Sequence, residues 1–74
     1  MSKKGQHVVP SSGGWSVKKA GAARATSVHA TQADAIAAGT QIARNQRTEL
    51  YIHGRDGRIL ERNSYGDDSN PPKG

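Results

Sequence analysis

The sequence predicts a small α+β domain: an antiparallel sheet built from two hairpins, with one helix packed on one face, in the order ββ(β)αββ. Two pairs of short segments are strand candidates, each pair is joined by turn-forming residues, and one segment of each pair, 15–19 and 49–53, alternates apolar with polar residues. Between the pairs lies one alanine-rich stretch without proline. A chain of 74 residues has room for one such domain.

The first hairpin is predicted at residues 6–10 and 15–19, joined by Ser-Ser-Gly-Gly at 11–14. Pro10 should end the first strand, because proline cannot continue a central ladder. In the second strand the alternation turns Trp15 and Val17 toward the core.

Residues 26–30 form a weaker, partly β-branched stretch. They are compatible with a third short strand and with an extended lead into the helix, and both interpretations stay open.

The helix is predicted from residue 32 to about residue 46, with Thr31 as N-cap and Asp34 in the first turn. Small and apolar residues form one stripe along it: Ala35, Ile36, Ala38, Gly39, Ile42 and Ala43. Glycine inside a helix costs roughly 1 kcal/mol, so Gly39 indicates a close approach to the sheet, near the Trp15 indole. The stripe also suits contact between two helices of a dimer, but packing on the chain's own sheet is the favoured interpretation.

The second hairpin is predicted at residues 49–53 and 58–62, because Asp-Gly at 56–57 is a strong turn signal. Leu50 and Ile52 should face inward, and Tyr51 and His53 outward.

Two apolar residues should face the side of the sheet away from the core. Val8 and Leu60 alternate with Val9 and Ile59, which we expect to point inward. A second apolar face needs a cover, so Val8 and Leu60 are the predicted interface of a homodimer. They can also be isolated exposed residues without consequence.

The predicted organisation has three parts: a mobile basic arm at 1–5, one α+β domain at 6–65, and an extended or disordered tail at 66–74 that contains two prolines.

Several short motifs in a fixed order resemble a known family. They are W-S-V-K-K at 15–19, A-D-A-I-A at 33–37, I-A-R-N-Q at 42–46, H-G-R-D-G-R-I at 53–59, S-Y-G at 64–66 and P-P-K-G at 71–74. Together they resemble the small bacterial proteins grouped as domain of unknown function 2188, over nearly the whole chain. Residues 31–34 depart from the lysine-rich sequence usual in the family at the start of the helix. The resemblance implies the architecture only, since no activity or site residue comes with it.

The charge is distributed unevenly. Eleven Lys and Arg against six Asp and Glu give +5, and residues 1–33 contain no acidic residue. Such a distribution attracts phosphate backbones, although lysines also serve solubility and protect edge strands. The predicted nucleic-acid-binding residues are Lys18, Lys19, Arg24, Arg55, Arg58, Arg62 and Tyr51. For Tyr51 the alternative is ordinary cross-strand packing.

Catalysis and cofactor binding are not expected. The chain has no cysteine, which excludes disulfides, thiolate metal sites and thiol catalysis. His7, His29 and His53 lie on three separate segments, so no metal site is expected, although His7 and His53 would approach each other if both faced outward on adjacent strands. We expect no enzyme activity, no cofactor and no small-molecule substrate.

The remaining expectations concern context and partners. No apolar run approaches the roughly 18 residues of a membrane span, so we expect a cytoplasmic protein without a membrane partner. The favoured function is nucleic-acid binding without catalysis. The alternative is a protein-interaction or homodimeric assembly module that uses exposed hairpin edges.

Overall fold

A computed structural model describes residues 5–65. The elements are β1 (Gln6–Ser11), β2 (Gly14–Lys19), β3 (Ser27–His29), α1 (Gln32–Gln46), β4 (Glu49–His53) and β5 (Ile59–Ser64). The strands form one sheet in the order β3-β2-β1-β4-β5. The α+β class is confirmed. Of the two interpretations of residues 26–30, the structure shows the third strand, at Ser27–His29. Most of the predicted arm and the whole predicted tail lie outside the described residues.

The sheet is mixed, so the prediction of a purely antiparallel sheet is wrong in this detail. β1 and β4 are parallel neighbours, whereas every other pair is antiparallel. The cause is the crossover through α1: it returns the chain to the edge of the first hairpin in the same direction as β3 and therefore as β1.

Strand β1 also extends past Pro10 to Ser11, contrary to the prediction. Pairing between β1 and β4 ends at Val8, and Pro10 pairs only with Trp15 of β2. Because β1 has no partner on its β4 side at Pro10, the sheet needs no N–H donor there, and proline is tolerated within the strand.

Helix α1 has the predicted limits and caps. The Thr31 hydroxyl accepts a hydrogen bond from the Asp34 N–H at 3.1 Å, and the helix ends at Arg47 in the left-handed conformation. No helix among residues 5–65 combines the length and the apolarity that crossing a membrane requires.

The core lies between α1 and one face of the sheet. Its buried residues are Val8, Trp15, Val17, Ala35, Ala43, Leu50 and Ile52, with Ile36, Ala38, Ile42 and Tyr65 packed around them. Trp15, Val17, Leu50 and Ile52 therefore face inward as predicted. The helix approaches the sheet at Gly39, but over Leu50, Val8 and Val17 rather than over the Trp15 indole.

The predicted orientation of Val8 is wrong. Val8 is fully buried, because it pairs with Val17 on one side and Ile52 on the other, both of which face the helix. Val9 consequently points to the opposite face and is only half-buried. Val8 is therefore not available as an interface residue.

The predicted orientations of Ile59 and Leu60 fail as well, because the pairing of β4 with β5 is irregular between Ile52 and His53. Ile59 pairs with the outward-facing His53. Leu60 is the extra residue of this bulge, and it lines a shallow hollow together with Trp15. Leu60 stays 64% exposed, and Ile59 56%.

Candidate functional site

The face of the sheet opposite the helix carries a row of four polar side chains that crosses four strands. Lys18 of β2 is the register partner of His7 in β1, His7 is the partner of Tyr51 in β4, and Tyr51 is the partner of Arg62 in β5. We call these four residues the cross-strand row. The row thus has a cation at each end and two aromatic rings in the middle. Lys18 and Arg62 are separated by three strand spacings, which add to about 14 Å.

The rings at the centre of the row are in contact. His7 and Tyr51 stack with their centroids 4.7 Å apart and their planes at 18°. His53, two residues beyond Tyr51 on β4, brings its ring centroid to 5.2 Å from that of His7. Strand alternation turns all three outward, since Gln6 and Val8 on either side of His7, and Leu50 and Ile52 in β4, are buried.

The two imidazoles are also joined directly. His7 Nδ1 lies 2.9 Å from His53 Nε2, and His53 Nδ1 lies 3.1 Å from the carbonyl oxygen of Gly57 in the adjoining turn. The approach expected for two outward-facing histidines on adjacent strands is therefore present. No cluster of three or more metal-ligating side chains occurs in the described part of the chain.

Tyr51 is held by its phenolic oxygen as well as by its ring. Its hydroxyl donates a hydrogen bond to the Glu49 carboxylate. This bond, together with partial burial and the charge of Glu49, raises the pKa of Tyr51, while Arg62 acts in the opposite direction. Tyr51 packs across strands and still faces the open side of the sheet. Cross-strand packing and the predicted nucleic-acid contact of this residue are therefore not exclusive.

Only part of the predicted basic set meets on this face. Lys18 and Arg62 belong to the cross-strand row together with Tyr51. Lys19 points to the other side of the sheet, because it follows Lys18 directly in the strand. Arg24 is exposed in the connection between β2 and β3.

The two arginines near the second turn have local partners. The Arg55 guanidinium lies 5.6 Å from the ring centroid of Trp15, on the helix side of the sheet. Arg58 forms an exposed ion pair with Asp56 at 3.6 Å, and its backbone N–H donates to the Asp56 carboxylate at 3.1 Å. Asp56 and Gly57 thus have the turn role expected of them, and Gly57 supplies the positive φ of 89°.

His7 and His53 were not among the predicted site residues. The signal that could have found His7 is its position next to Val8: once Val8 is assigned to the core, His7 must face outward beside Tyr51.

The comparisons with known proteins concern the same part of the chain. A family model described as an uncharacterized protein conserved in bacteria (DUF2188) matches residues 6–65. The uncharacterized protein YdaT of Bacillus subtilis (strain 168) is 32% identical over 66 residues, which cover 89% of this chain and 44% of that protein. The chain thus spans less than half the length of this relative. No solved structure matches the chain significantly.

The family match extends from the start of β1 to the residue after β5 and so includes all six elements and the whole cross-strand row. The chain belongs to the DUF2188 family of uncharacterized proteins conserved in bacteria.

Proposed function

We propose that this chain is a small cytoplasmic module that binds the phosphate backbone of nucleic acid, without catalysis, on the open face of its sheet. The observation that supports the proposal best is the cross-strand row, in which Lys18 and Arg62 stand on either side of stacked rings. A sheet face that no helix of residues 5–65 covers can accept an extended strand. The span of about 14 Å between the cations lets them contact different phosphates of one bound strand.

The energetics of such a site are those of backbone binding. The row offers two cations to phosphates, and the nearby Glu49 carboxylate is hydrogen-bonded to Tyr51. The ring faces of His7 and Tyr51 are used in stacking on each other, so base stacking contributes less than it would on isolated rings. We therefore expect weak binding without sequence preference.

A protein-interaction module remains the second candidate, because β5 is an edge strand and Ile59 and Leu60 are exposed there. Charge argues against a homodimer formed by pairing β5 with its own copy. When two copies of β5 pair antiparallel about a two-fold axis, directly opposite residues must lie on the same face of the sheet. A register centred on the middle of β5 therefore places Glu61 opposite Glu61, or Arg62 opposite Arg62, and these like charges repel. If it uses β5, this second function would therefore need a partner strand of different sequence.

The experiment uses two adjacent lysines that differ in the face on which they lie. A fluorescently labelled single-stranded oligonucleotide is titrated with the wild-type chain, Lys18→Gln and Lys19→Gln over a series of salt concentrations. Two phosphate contacts predict a slope of log affinity against log salt of about −1.4 for the wild type, and about −0.7 for Lys18→Gln. Lys19→Gln loses the same charge on the other face and should keep the wild-type slope.

Equal losses for the two variants would show that total charge, and not the cross-strand row, attracts the nucleic acid. Absence of binding at low salt would reject the function altogether. Sedimentation of the chain without nucleic acid tests the charge argument against self-pairing: a monomer is expected, and a dimer would show that copies of this chain pair with each other.

A further inference from the structure

The hydrogen-bonded histidine pair on the open face brings two imidazole nitrogens close enough together to bind one ion. We propose that His7 and His53 together bind one divalent transition-metal ion of the zinc, nickel or copper class. The site would join the parallel neighbours β1 and β4, and it does not depend on the function proposed above.

His53 is already oriented as a ligand. A carbonyl oxygen can only accept a hydrogen bond, so the 3.1 Å contact with Gly57 requires the proton of neutral His53 to be on Nδ1. The lone pair of His53 Nε2 is therefore directed at His7. Metal-binding histidines characteristically donate their other ring N–H to a carbonyl or carboxylate, which fixes the tautomer and the ring orientation.

His7 requires one change of tautomer. With the His53 Nε2 lone pair facing it at 2.9 Å, His7 Nδ1 carries the proton of the shared hydrogen bond. When a metal ion takes the position between the rings, this proton leaves Nδ1 and the neutral imidazole is protonated on Nε2 instead. The number of protons on the ring does not change.

The distances allow the exchange. Metal–nitrogen bonds of about 2.0–2.1 Å in a tetrahedral site place the two nitrogens about 3.3 Å apart. The two nitrogens must therefore move about 0.4 Å further apart than their present 2.9 Å, and both rings must tilt so that their lone pairs converge on the ion. The rings are half-buried on an open face, so water can occupy the remaining coordination positions.

The donor set selects the class of metal. Two neutral imidazoles suit zinc, nickel and copper, whereas calcium and magnesium require oxygen ligands. The register neighbours of the pair are Lys18 and Tyr51 beside His7 and Ile59 beside His53, so no carboxylate occupies a register position opposite either ring to favour the harder cations.

The test adds NiCl₂ or ZnCl₂ to the untagged full chain and follows the imidazole nitrogen resonances by NMR. We expect one ion per chain, with His7 Nδ1 and His53 Nε2 shifting together and the His29 ring unaffected. Calorimetry should show an affinity reduced by about tenfold or more in His7→Gln and in His53→Gln. His29→Gln should bind as the wild type does, because His29 lies on β3 and contacts Ser27 instead.

The wild-type resonances keep the proposal testable even if a variant folds poorly. Imidazole signals of His7 and His53 that do not respond to either metal would overturn it and leave the pair as a hydrogen-bonded link between strands. Equal affinity in all three histidine variants would also overturn it. Nucleic-acid binding measured in the presence of a chelator is a separate result, so either proposal can fail alone.

Discussion

Gly39 of α1 lies directly over Leu50 of β4: a Cβ atom added to Gly39 would be 2.9 Å from Leu50 Cδ1 and 3.3 Å from Val8 Cγ2. Leu50 and Val8 are both fully buried. Neither side chain can withdraw into solvent, so the helix rests on the sheet at a separation that glycine alone permits without displacement.

Gly39→Ala should therefore destabilise the protein, although alanine is the better helix former. Overpacking a filled core costs about 1–3 kcal/mol, and the gain in helix propensity offsets about 1 kcal/mol of it. We expect the free energy of unfolding in urea to fall by about 1 kcal/mol. Ala37→Gly, at an exposed position of the same helix, measures the propensity effect alone. A Gly39→Ala variant more stable than the wild type would show that the Leu50 side chain moves aside at little energetic cost.

The elements could be predicted from the sequence wherever the signal is local. Thr31 caps the helix as expected, and clean alternation assigns Leu50 to the core and Tyr51 to the open face. Alternation fails at apolar doublets, because Val8-Val9 and Ile59-Leu60 fit either phase equally well. Their orientation depends on the strands beside them, which the local pattern does not contain.

Topology and the cross-strand row required the structure for the same reason. A parallel and an antiparallel neighbour have the same alternation, so β1 beside β4 follows from the path of the helix and not from either strand alone. The row depends on register across four strands. Lys18 and Arg62 were predicted as separate basic residues, and their relation to His7 becomes visible only when the sheet is assembled.

Gln6 is a buried polar side chain whose replacement should stabilise the fold. It is 2% exposed; its amide donates to Gln46 at 3.3 Å, and its Oε1 has no hydrogen-bond partner among the described residues. An unsatisfied buried acceptor costs about 1–3 kcal/mol, so Gln6→Leu should raise the free energy of unfolding by about 1 kcal/mol. Gln46→Ala, which removes the acceptor of the Gln6 amide, should lower the free energy of unfolding. A destabilised Gln6→Leu would indicate that water satisfies Oε1.

Arg47 ends the helix in a conformation that favours glycine. It is the one non-glycine residue with positive φ in the described part of the chain, at 53°, and its N–H donates to the Arg44 carbonyl. Arg47→Gly should raise the free energy of unfolding by about 0.5–1 kcal/mol, because the left-handed region is unfavourable for residues with a Cβ. Arg47→Ala removes the charge and keeps the strain, so it should give no such gain. Equal thermal shifts for the two variants would attribute the effect to charge.

Tyr51 should hold its proton above the ordinary pKa of 10.0, chiefly because its hydroxyl donates to the Glu49 carboxylate. Ionisation would leave two anions in contact, and Arg62 offsets this effect only in part. The folded chain therefore binds this proton more tightly than the unfolded chain does. The contribution to stability is fully present below about pH 10 and is lost as the pH rises through the folded-state pKa.

Glu49→Gln isolates the cause of this shift, because it removes the carboxylate and leaves Arg62 in place. The pKa of Tyr51 should then fall, and the loss of stability in alkaline solution should become shallower. Tyrosinate absorbance during a pH titration measures the pKa, and Tyr51→Phe identifies which of the two tyrosines gives the signal. Arg62→Gln should move the pKa in the opposite direction, since the guanidinium favours the phenolate. A titration curve that is the same in Glu49→Gln and wild type would mean that the hydroxyl is not bonded to Glu49 in solution.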